Sequence, residues 1–153
     1  MAKTILIAED SEDDAILLQQ TLKTAGVSNP IVMVTDGDEV LAYFKGEGRF
    51  SDRIMFPLPS VLLLDLKMAR IGGYEVLDWL QTHPEFQPLL IIAVTAFHEL
   101  KEVQKAYLLG AKSFITKPSK PEDFHLLMQS FPEYWESLPP PGQGSSGAPM
   151  QLV

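Results

Sequence analysis

Three carboxylates directly follow two strongly apolar segments of this 153-residue chain. Glu9 and Asp10 come after Thr4–Ala8, and Asp65 comes after Val61–Leu64. If both segments are strands of one parallel sheet whose strand order reverses beside the first, their carboxyl ends meet at one crevice. Carboxylates gathered there repel one another unless a hard divalent cation binds, and Mg²⁺ is preferred where a phosphoryl group completes its octahedron. The sequence therefore predicts an acidic metal pocket.

Two further polar residues are expected at the same edge of the sheet. Thr95 follows the fourth apolar segment and Lys117 follows the fifth, so a hydroxyl and an ammonium join the three carboxylates. Taken singly, each acid is explained equally well as a helix cap or a loop residue, and Asp10 with Ser11 is an ordinary helix start. The conjunction of these groups at four strand ends favours the pocket.

The elements that must position these residues alternate along the chain. Short runs rich in Ile, Val and Leu alternate with amphipathic stretches, as in βαβ units that build a parallel sheet. Such runs are typical of strands buried on both faces, so all five are expected at interior or near-interior places. The predicted strands are Thr4–Ala8, Ile31–Thr35, Val61–Leu64, Leu89–Val94 and Ser113–Thr116.

Apolar residues at three- and four-residue spacing predict a helix after each strand. The first helix has an apolar stripe at Ala15, Leu18, Leu22 and Ala25 and ends at Gly26. The next three are expected at Asp38–Phe44, Tyr74–His83 and Glu99–Leu109. The last begins at Ser119, with Glu122 completing a capping-box pattern.

Composition restricts the class of protein. With 46% hydrophobic residues, the chain has material for one core of ordinary size. The absence of cysteine excludes disulfides, thiolate metal sites and a cysteine nucleophile, and it fits a cytoplasmic protein. The apolar stretch before Glu9 is too short for a signal peptide or a membrane span. A net charge of −8 argues against nucleic acid and favours protein partners.

Two stretches interrupt the alternation of strands and helices. Lys45–Pro59 lacks periodicity and is expected to be a surface insertion, with a dedicated partner-docking loop as the alternative. Pro139–Val153 is rich in Pro, Gly and Ser and has no charged side chain, so it is predicted to be disordered. The expected organisation is one domain at residues 1–137 and a tail at residues 138–153.

Four short motifs, in this order and spacing, resemble the CheY-like receiver domain of two-component response regulators. They are Ile-Ala-Glu-Asp at the first strand, Leu-Leu-Leu-Asp-Leu-Lys-Met at the third, Val-Thr-Ala at the fourth and Phe-Ile-Thr-Lys-Pro at the fifth. The resemblance spans about Lys3 to Phe131. It implies an α/β fold, a doubly wound, flavodoxin-like (βα)₅ parallel sheet with strand order 2-1-3-4-5.

The resemblance also implies a role for each matching residue. Asp65 would be the phosphoacceptor, and Glu9 and Asp10 would hold Mg²⁺ together with Asp65 and the backbone carbonyl of Lys67. Small or polar side chains near a receiver's phosphoacceptor help place the hydrolytic water. Lys67 and the bulky Phe97 stand there in this chain, so we expect slow self-dephosphorylation.

The remaining implied roles belong to the fourth and fifth strands. Thr95 would donate its hydroxyl to the phosphoryl group, and Lys117 would contact both Asp65 and the phosphoryl oxygens. Phe114 lies at the aromatic switch position, and the bond before Pro118 would be cis.

The implied function is that of a stand-alone response regulator. Such a protein takes a phosphoryl group from the phosphohistidine of a sensor histidine kinase and turns over no metabolite. The insertion and the Tyr134-Trp135 pair are similar to receivers that serve phytochrome-type kinases. Because no second domain is expected after Pro132, signalling would pass through contacts with a downstream protein. A homodimer through the last helix, strand five and the Tyr134/Trp135 region is a further expectation.

Two positions depart from the family pattern, and three other functions compete with that of a receiver. Ala69 replaces a usual proline and Gly72 a frequent acid, which makes the loop after Asp65 more flexible. An Mg²⁺-dependent aspartyl-phosphate phosphohydrolase usually has a second acid where this chain has Lys67. A flavodoxin-type flavin module needs a phosphate-binding loop after strand one, where this chain is acidic. A degenerate receiver acting only as a binding module conflicts with the complete set of site residues.

Histidine and aromatic residues outside the motifs are given simpler interpretations. Solvated surface positions are expected for His83, His98 and His125, which lack metal-ligand spacing. Packing is expected for Trp79 and Tyr107. Phe131, Tyr134 and Trp135 are expected either to pack or to form a partner patch.

Overall fold

A computed structural model describes residues 3–68, 70–96 and 100–137 of the chain. Five parallel strands form one sheet in the order β2-β1-β3-β4-β5, which confirms the predicted order. The strands are β1 (Ile5–Ala8), β2 (Ile31–Val34), β3 (Val61–Asp65), β4 (Leu90–Thr95) and β5 (Ser113–Thr116). Ala8 of β1 lies opposite Leu64 of β3, so the residues that follow them, Glu9 and Asp65, emerge side by side.

Of the five strands expected at interior or near-interior places, three are interior and two lie at the edges that the predicted order assigns to them. β1, β3 and β4 are buried along their whole length, whereas β2 and β5 form the two edges. Met33 of β2 is 40% exposed. Apolar content alone cannot separate an edge strand from a central one, because one covered face already requires apolar side chains.

Five helices cover the two faces of the sheet. They are α1 (Glu12–Thr24), α2 (Gly37–Lys45), α3 (Gly73–Gln81), α4 (Leu100–Leu108) and α5 (Pro121–Ser130). One apolar layer joins α2 and α3 to the sheet through residues such as Phe44 and Leu77, and the opposite layer joins α1 and α5 through Leu22 and Phe124. Each large buried side chain contributes about 1.5–3 kcal/mol. No helix in the described ranges is long and apolar enough to cross a membrane.

Helix α5 begins later than the sequence pattern predicted. Its first residue is Pro121, and the side chain of Asp123 accepts a hydrogen bond from the Lys120 N–H at 2.9 Å. The predicted capping pair of Ser119 and Glu122 is therefore wrong by one position. Proline fits the first helical residue because its missing N–H would have no partner there.

The loop between α2 and β3 lies mostly at the surface, as expected, with Ile54 96% exposed, but part of it also packs into the domain. A 3₁₀ turn at Gly48–Phe50 places Phe50, only 2% exposed, with its ring 5.0 Å from that of Tyr43. Arg53 donates to the carbonyls of Tyr43 and Phe44 at 2.8 and 2.7 Å. These carbonyls lie in the last turn of α2, where carbonyls run short of intrahelical donors, although the Tyr43 carbonyl also accepts the Gly46 N–H at 3.2 Å. The loop thus stabilises the end of α2.

The segment after α5 also packs against the domain. Trp135 is 8% exposed and lies edge-on to Phe124, so it forms part of the core and not a partner patch. Phe131 and Tyr134 are half-buried against the same layer. An isolated bridge between Val27 and Ser137 continues this contact. Of the two alternatives, packing therefore holds for Trp135, whose ring is buried against Phe124.

The other histidine and aromatic predictions have mixed outcomes. His83 is half-buried and stacks on Trp79 at a ring separation of 3.9 Å, so it is not a solvated side chain. His125 is exposed, as predicted, whereas Tyr107 is 46% exposed. His98 and the tail at residues 138–153 lie outside the described residues.

Candidate functional site

The carboxyl ends of β1 and β3 bring the three predicted acids together. One carboxylate oxygen from each of Glu9, Asp10 and Asp65 lies within 4.8 Å of the other two. Glu9 and Asp65 are buried at 3% and 4% exposure, and Asp10 is exposed. Two buried carboxylates with a third at the rim make a pocket of oxygen ligands that is open on one side.

Lys117 projects its ammonium into this pocket. Its Nζ lies 2.6 Å from Glu9 Oε1 and 3.1 Å from both Asp65 Oδ2 and Asp14 Oδ2. The Lys117 N–H donates to the Thr95 carbonyl at 2.8 Å, which ties the end of β5 to the end of β4. The bond from Lys117 to Pro118 is cis. One cation therefore partly neutralises three carboxylates.

Burial and charge shift the proton affinities of the pocket. Burial, followed by hydrogen bonding to Asp65, raises the pKa of Glu9 from 4.5 to about 7, although Lys117 acts in the opposite direction. Burial alone would lower the pKa of Lys117. Its bonds to Glu9 and the charge of Asp65 instead raise that pKa above the usual value of 10.5. The pocket thus holds a firmly charged ammonium beside a carboxyl that exchanges a proton near neutral pH.

The two oxygens of Asp65 have different partners. Oδ1 accepts the backbone N–H of Lys67 at 2.9 Å, and Oδ2 accepts from Lys117 at 3.1 Å. On the other side of the pocket, Glu9 Oε2 accepts the Ser11 N–H at 3.1 Å. These bonds orient both buried carboxylates toward the pocket and leave the Lys67 side chain exposed.

Thr95 and Phe114 lie on the same face of the sheet. Thr95 is the last residue of β4 and is 1% exposed. Phe114 of β5 pairs with Ala93 and packs, half-buried, against the layer under α2 and α3. A ring at the edge of a layer has room for a second rotamer, whereas a ring in its centre does not.

One contributor was missed by the sequence analysis. Asp14, in the first turn of α1, accepts from Lys117 Nζ at 3.1 Å. It stood in the sequence as one member of an acidic run, Glu12 to Asp14. Ser11 caps α1 by accepting a hydrogen bond from the Asp14 N–H, which fixes the position of Asp14 in the first turn of the helix. Ala69 and Phe97, by contrast, lie outside the described residues.

The response regulator receiver domain family matches residues 5–129 of the chain. This stretch includes every residue assigned above to the pocket. The chain therefore belongs to the response regulator receiver family, as the four motifs indicated.

Comparisons with individual response regulators show how similar this chain is to them. The bacteriophytochrome response regulator RtBRR is 33% identical, with a TM-score of 0.79 over 93% of this chain and 86% of that chain. The response regulator RPA3017, in red light signaling of R. palustris, is 32% identical, with a TM-score of 0.74 over 90% and 98%. Response regulator Rcp1 of Synechocystis sp. is 28% identical over 87% of this chain and 88% of its own. A solved Mn²⁺-bound form of Rcp1, also 28% identical, has a TM-score of 0.71 over 90% and 99%.

Proposed function

We propose that this protein accepts a phosphoryl group on Asp65 from the phosphohistidine of a sensor histidine kinase and signals through protein contacts that depend on phosphorylation. The observation that carries the proposal is the Lys117 ammonium, 3.1 Å from Asp65 Oδ2 inside a pocket of three carboxylates. That arrangement places a nucleophilic oxygen beside a cation able to neutralise a phosphoryl oxygen.

The transfer is a displacement at phosphorus. An Asp65 carboxylate oxygen forms the new P–O bond while the P–N bond to the donor imidazole breaks, and the imidazole nitrogen keeps the electron pair. Lys117 is placed to neutralise charge on the equatorial oxygens, and Thr95 is proposed to donate its hydroxyl to one of them. The product is an acyl phosphate on the protein, so the protein itself is the substrate.

Mg²⁺ is the proposed cofactor, and the donor set fits it. Glu9, Asp10 and Asp65 supply carboxylate oxygens, and the backbone carbonyl of Lys67 is the proposed fourth ligand. Held by these residues, Mg²⁺ would supply Lewis-acid neutralisation of the negative charge on the phosphoryl group. The related Rcp1 has been solved in a Mn²⁺-bound form, which supports a divalent ion at this position.

We propose that phosphorylation is transmitted to partner proteins by a change in the shape of one surface of the domain. Phosphorylation would draw Thr95 toward the phosphoryl group and turn Phe114 inward, which remodels the surface formed by α4, β5 and α5 for a downstream protein. A homodimer through α5, β5 and the region of Tyr134 is the second proposed contact. Buried Trp135 does not belong to it.

The kinase is proposed to be of the phytochrome type, in the cytoplasm. Two solved relatives above 30% identity are a bacteriophytochrome response regulator and a regulator in red light signaling. The absence of cysteine supports a reducing compartment. The net charge of −8 argues against nucleic acid as the partner.

Intact-mass measurement after incubation with acetyl phosphate and Mg²⁺ tests the proposal. We expect one phosphoryl adduct on the natural protein and none on Asp65→Asn. Asp10→Ala should slow formation of the adduct, whereas Asp13→Ala, which removes an exposed acid outside the pocket, should not. An adduct on both the natural protein and Asp65→Asn, or on neither, would contradict the proposal.

A further inference from the structure

The loop between β3 and α3, residues 66–72, holds two groups that the proposed transfer needs. The Lys67 N–H donates to Asp65 Oδ1 at 2.9 Å, and the Lys67 carbonyl is the proposed Mg²⁺ ligand. Both groups belong to one residue, so both move when the loop moves. The position of this loop therefore sets the geometry of the pocket.

The first part of the loop is anchored by the buried side chains of Leu66 and Met68, whereas its outer part at Arg70 is exposed. Arg70 adopts a left-handed backbone with φ of 63°, which a residue with a side chain keeps only when its surroundings hold it. The outer part of the loop thus requires a support outside itself.

That support is the first residue of α2. A Cβ atom added to Gly37 would lie 2.2 Å from the Ile71 carbonyl oxygen and 2.7 Å from the Ile71 Cβ. Helix and loop therefore meet backbone to backbone, at a distance that only glycine permits. Beside this contact, Asp38 pairs with Arg70 at 2.7 Å and holds the left-handed residue in place.

We propose that Gly37, far from Asp65 in sequence, is a positioning residue for the phosphoryl-transfer site. This inference rests on the function proposed above and deepens it. A methyl group at Gly37 would force the loop back by roughly 1 Å to restore ordinary van der Waals contact. Misplacement of reacting groups by about 1 Å lowers a rate by as much as about 100-fold.

The test compares Gly37→Ala with Gly72→Ala, the same change in the loop itself. At Gly72 the nearest atoms to an added Cβ are 3.9 Å away and φ is −82°, so alanine fits without displacement. Calorimetric titration with Mg²⁺ alone should show binding about tenfold weaker in Gly37→Ala, and phosphorylation by acetyl phosphate should slow by about 10- to 100-fold. The Lys67 amide resonance should shift in Gly37→Ala before any metal is added. Gly72→Ala should stay within about twofold of the natural protein in both assays.

If Gly37→Ala does not fold, a second variant tests whether contacts with α2 position the loop. Arg70→Asn removes the exposed ion pair to Asp38 but tolerates the left-handed backbone. Loss of a positive charge near the pocket should by itself strengthen Mg²⁺ binding, whereas a loosened loop should weaken it. We expect binding about threefold weaker, so the sign of the change separates the two effects.

Three results would overturn this role for Gly37. They are an unchanged Mg²⁺ affinity and Lys67 amide in Gly37→Ala, equal losses in Gly37→Ala and Gly72→Ala, or tighter binding with an unmoved Lys67 amide in Arg70→Asn. A natural protein that binds no Mg²⁺ and takes no phosphoryl group refutes the proposed function instead.

Discussion

Binding of Mg²⁺ should weaken as the pH falls below neutrality, because Glu9 must lose its proton to become a ligand. With a pKa of about 7, Glu9 is about nine-tenths protonated at pH 6 and about one-tenth protonated at pH 8. The apparent dissociation constant for Mg²⁺ should therefore rise by about tenfold from pH 8 to pH 6. A glutamate with its usual pKa of 4.5 would change the constant by less than about a tenth over this range.

Calorimetric titration at pH 6, 7 and 8, in two buffers of different ionisation enthalpy, measures both the affinity and the protons released. We expect about one proton per Mg²⁺ at pH 6 and almost none at pH 8. Glu9→Gln should bind Mg²⁺ more weakly, with little dependence of the affinity on pH. Asp13→Asn removes one negative charge as well, but the affinity of this variant should depend on pH as in the natural protein. A flat profile in the natural protein, or the same slope in Glu9→Gln, would refute the reasoning.

The metal-free protein should respond to pH with the opposite sign. Because the folded pKa of Glu9 lies above the unfolded value, the folded state binds more protons between about pH 4.5 and pH 7. Its contribution to the free energy of unfolding is therefore complete below pH 4.5 and lost as the pH rises through 7. The shift corresponds to about 3 kcal/mol at most. Urea unfolding with chelator at pH 5 and pH 8 measures this term as the difference between the natural protein and Glu9→Gln.

Three further predictions concern stability and the lifetime of the phosphoryl group. Phe50→Ala should lower the free energy of unfolding by about 3–5 kcal/mol in urea, because it empties a buried aromatic site; an unchanged midpoint would mean that the loop does not pack. Tyr74→Phe should cost about 1 kcal/mol, since it removes the hydroxyl donor to Glu102 of α4, and a double-mutant cycle with Glu102→Gln should recover that coupling. Lys67→Asn should shorten the lifetime of phosphorylated Asp65 several-fold, because a shorter amide side chain admits and orients water; equal or slower decay would contradict this.

The sheet and the centre of the pocket could be predicted because each depends on a local pattern. Every predicted strand matches an observed strand to within one residue at each end. Parallel pairing then places Ala8 opposite Leu64, and the acids that follow must meet. Lys117 joins them by the same rule at the end of the neighbouring pair of strands. Strand periodicity was sufficient for the strands, whereas the strand order that brings their ends together came from the resemblance to receiver domains.

Other features depend on tertiary contacts that leave no periodic signal. Phe50 lies in a stretch with no repeat, and its burial depends on Tyr43 of α2. Trp135 follows the last helix, where the same apolar residue serves equally well in a core or on an exposed patch. No sequence pattern singled out Gly37, because its close approach to Ile71 exists only after α2 and the loop have folded together.

The packing after α5 has a practical consequence for protein engineering. The Lys3 N–H donates to Glu136 Oε2 at 2.8 Å, and Asn29 donates to the carbonyls of Lys3 and Tyr134. Both chain ends of the folded domain therefore meet at the amino ends of the strands. Asp65 lies at the other end of the sheet, where the strands have their carboxyl ends. Fluorophores attached before Lys3 and after Ser137 would lie close enough for energy transfer while leaving the acidic pocket open to a kinase. Loss of that transfer would report that the C-terminal segment has detached from the start of the domain. It would not report on the state of the acidic pocket.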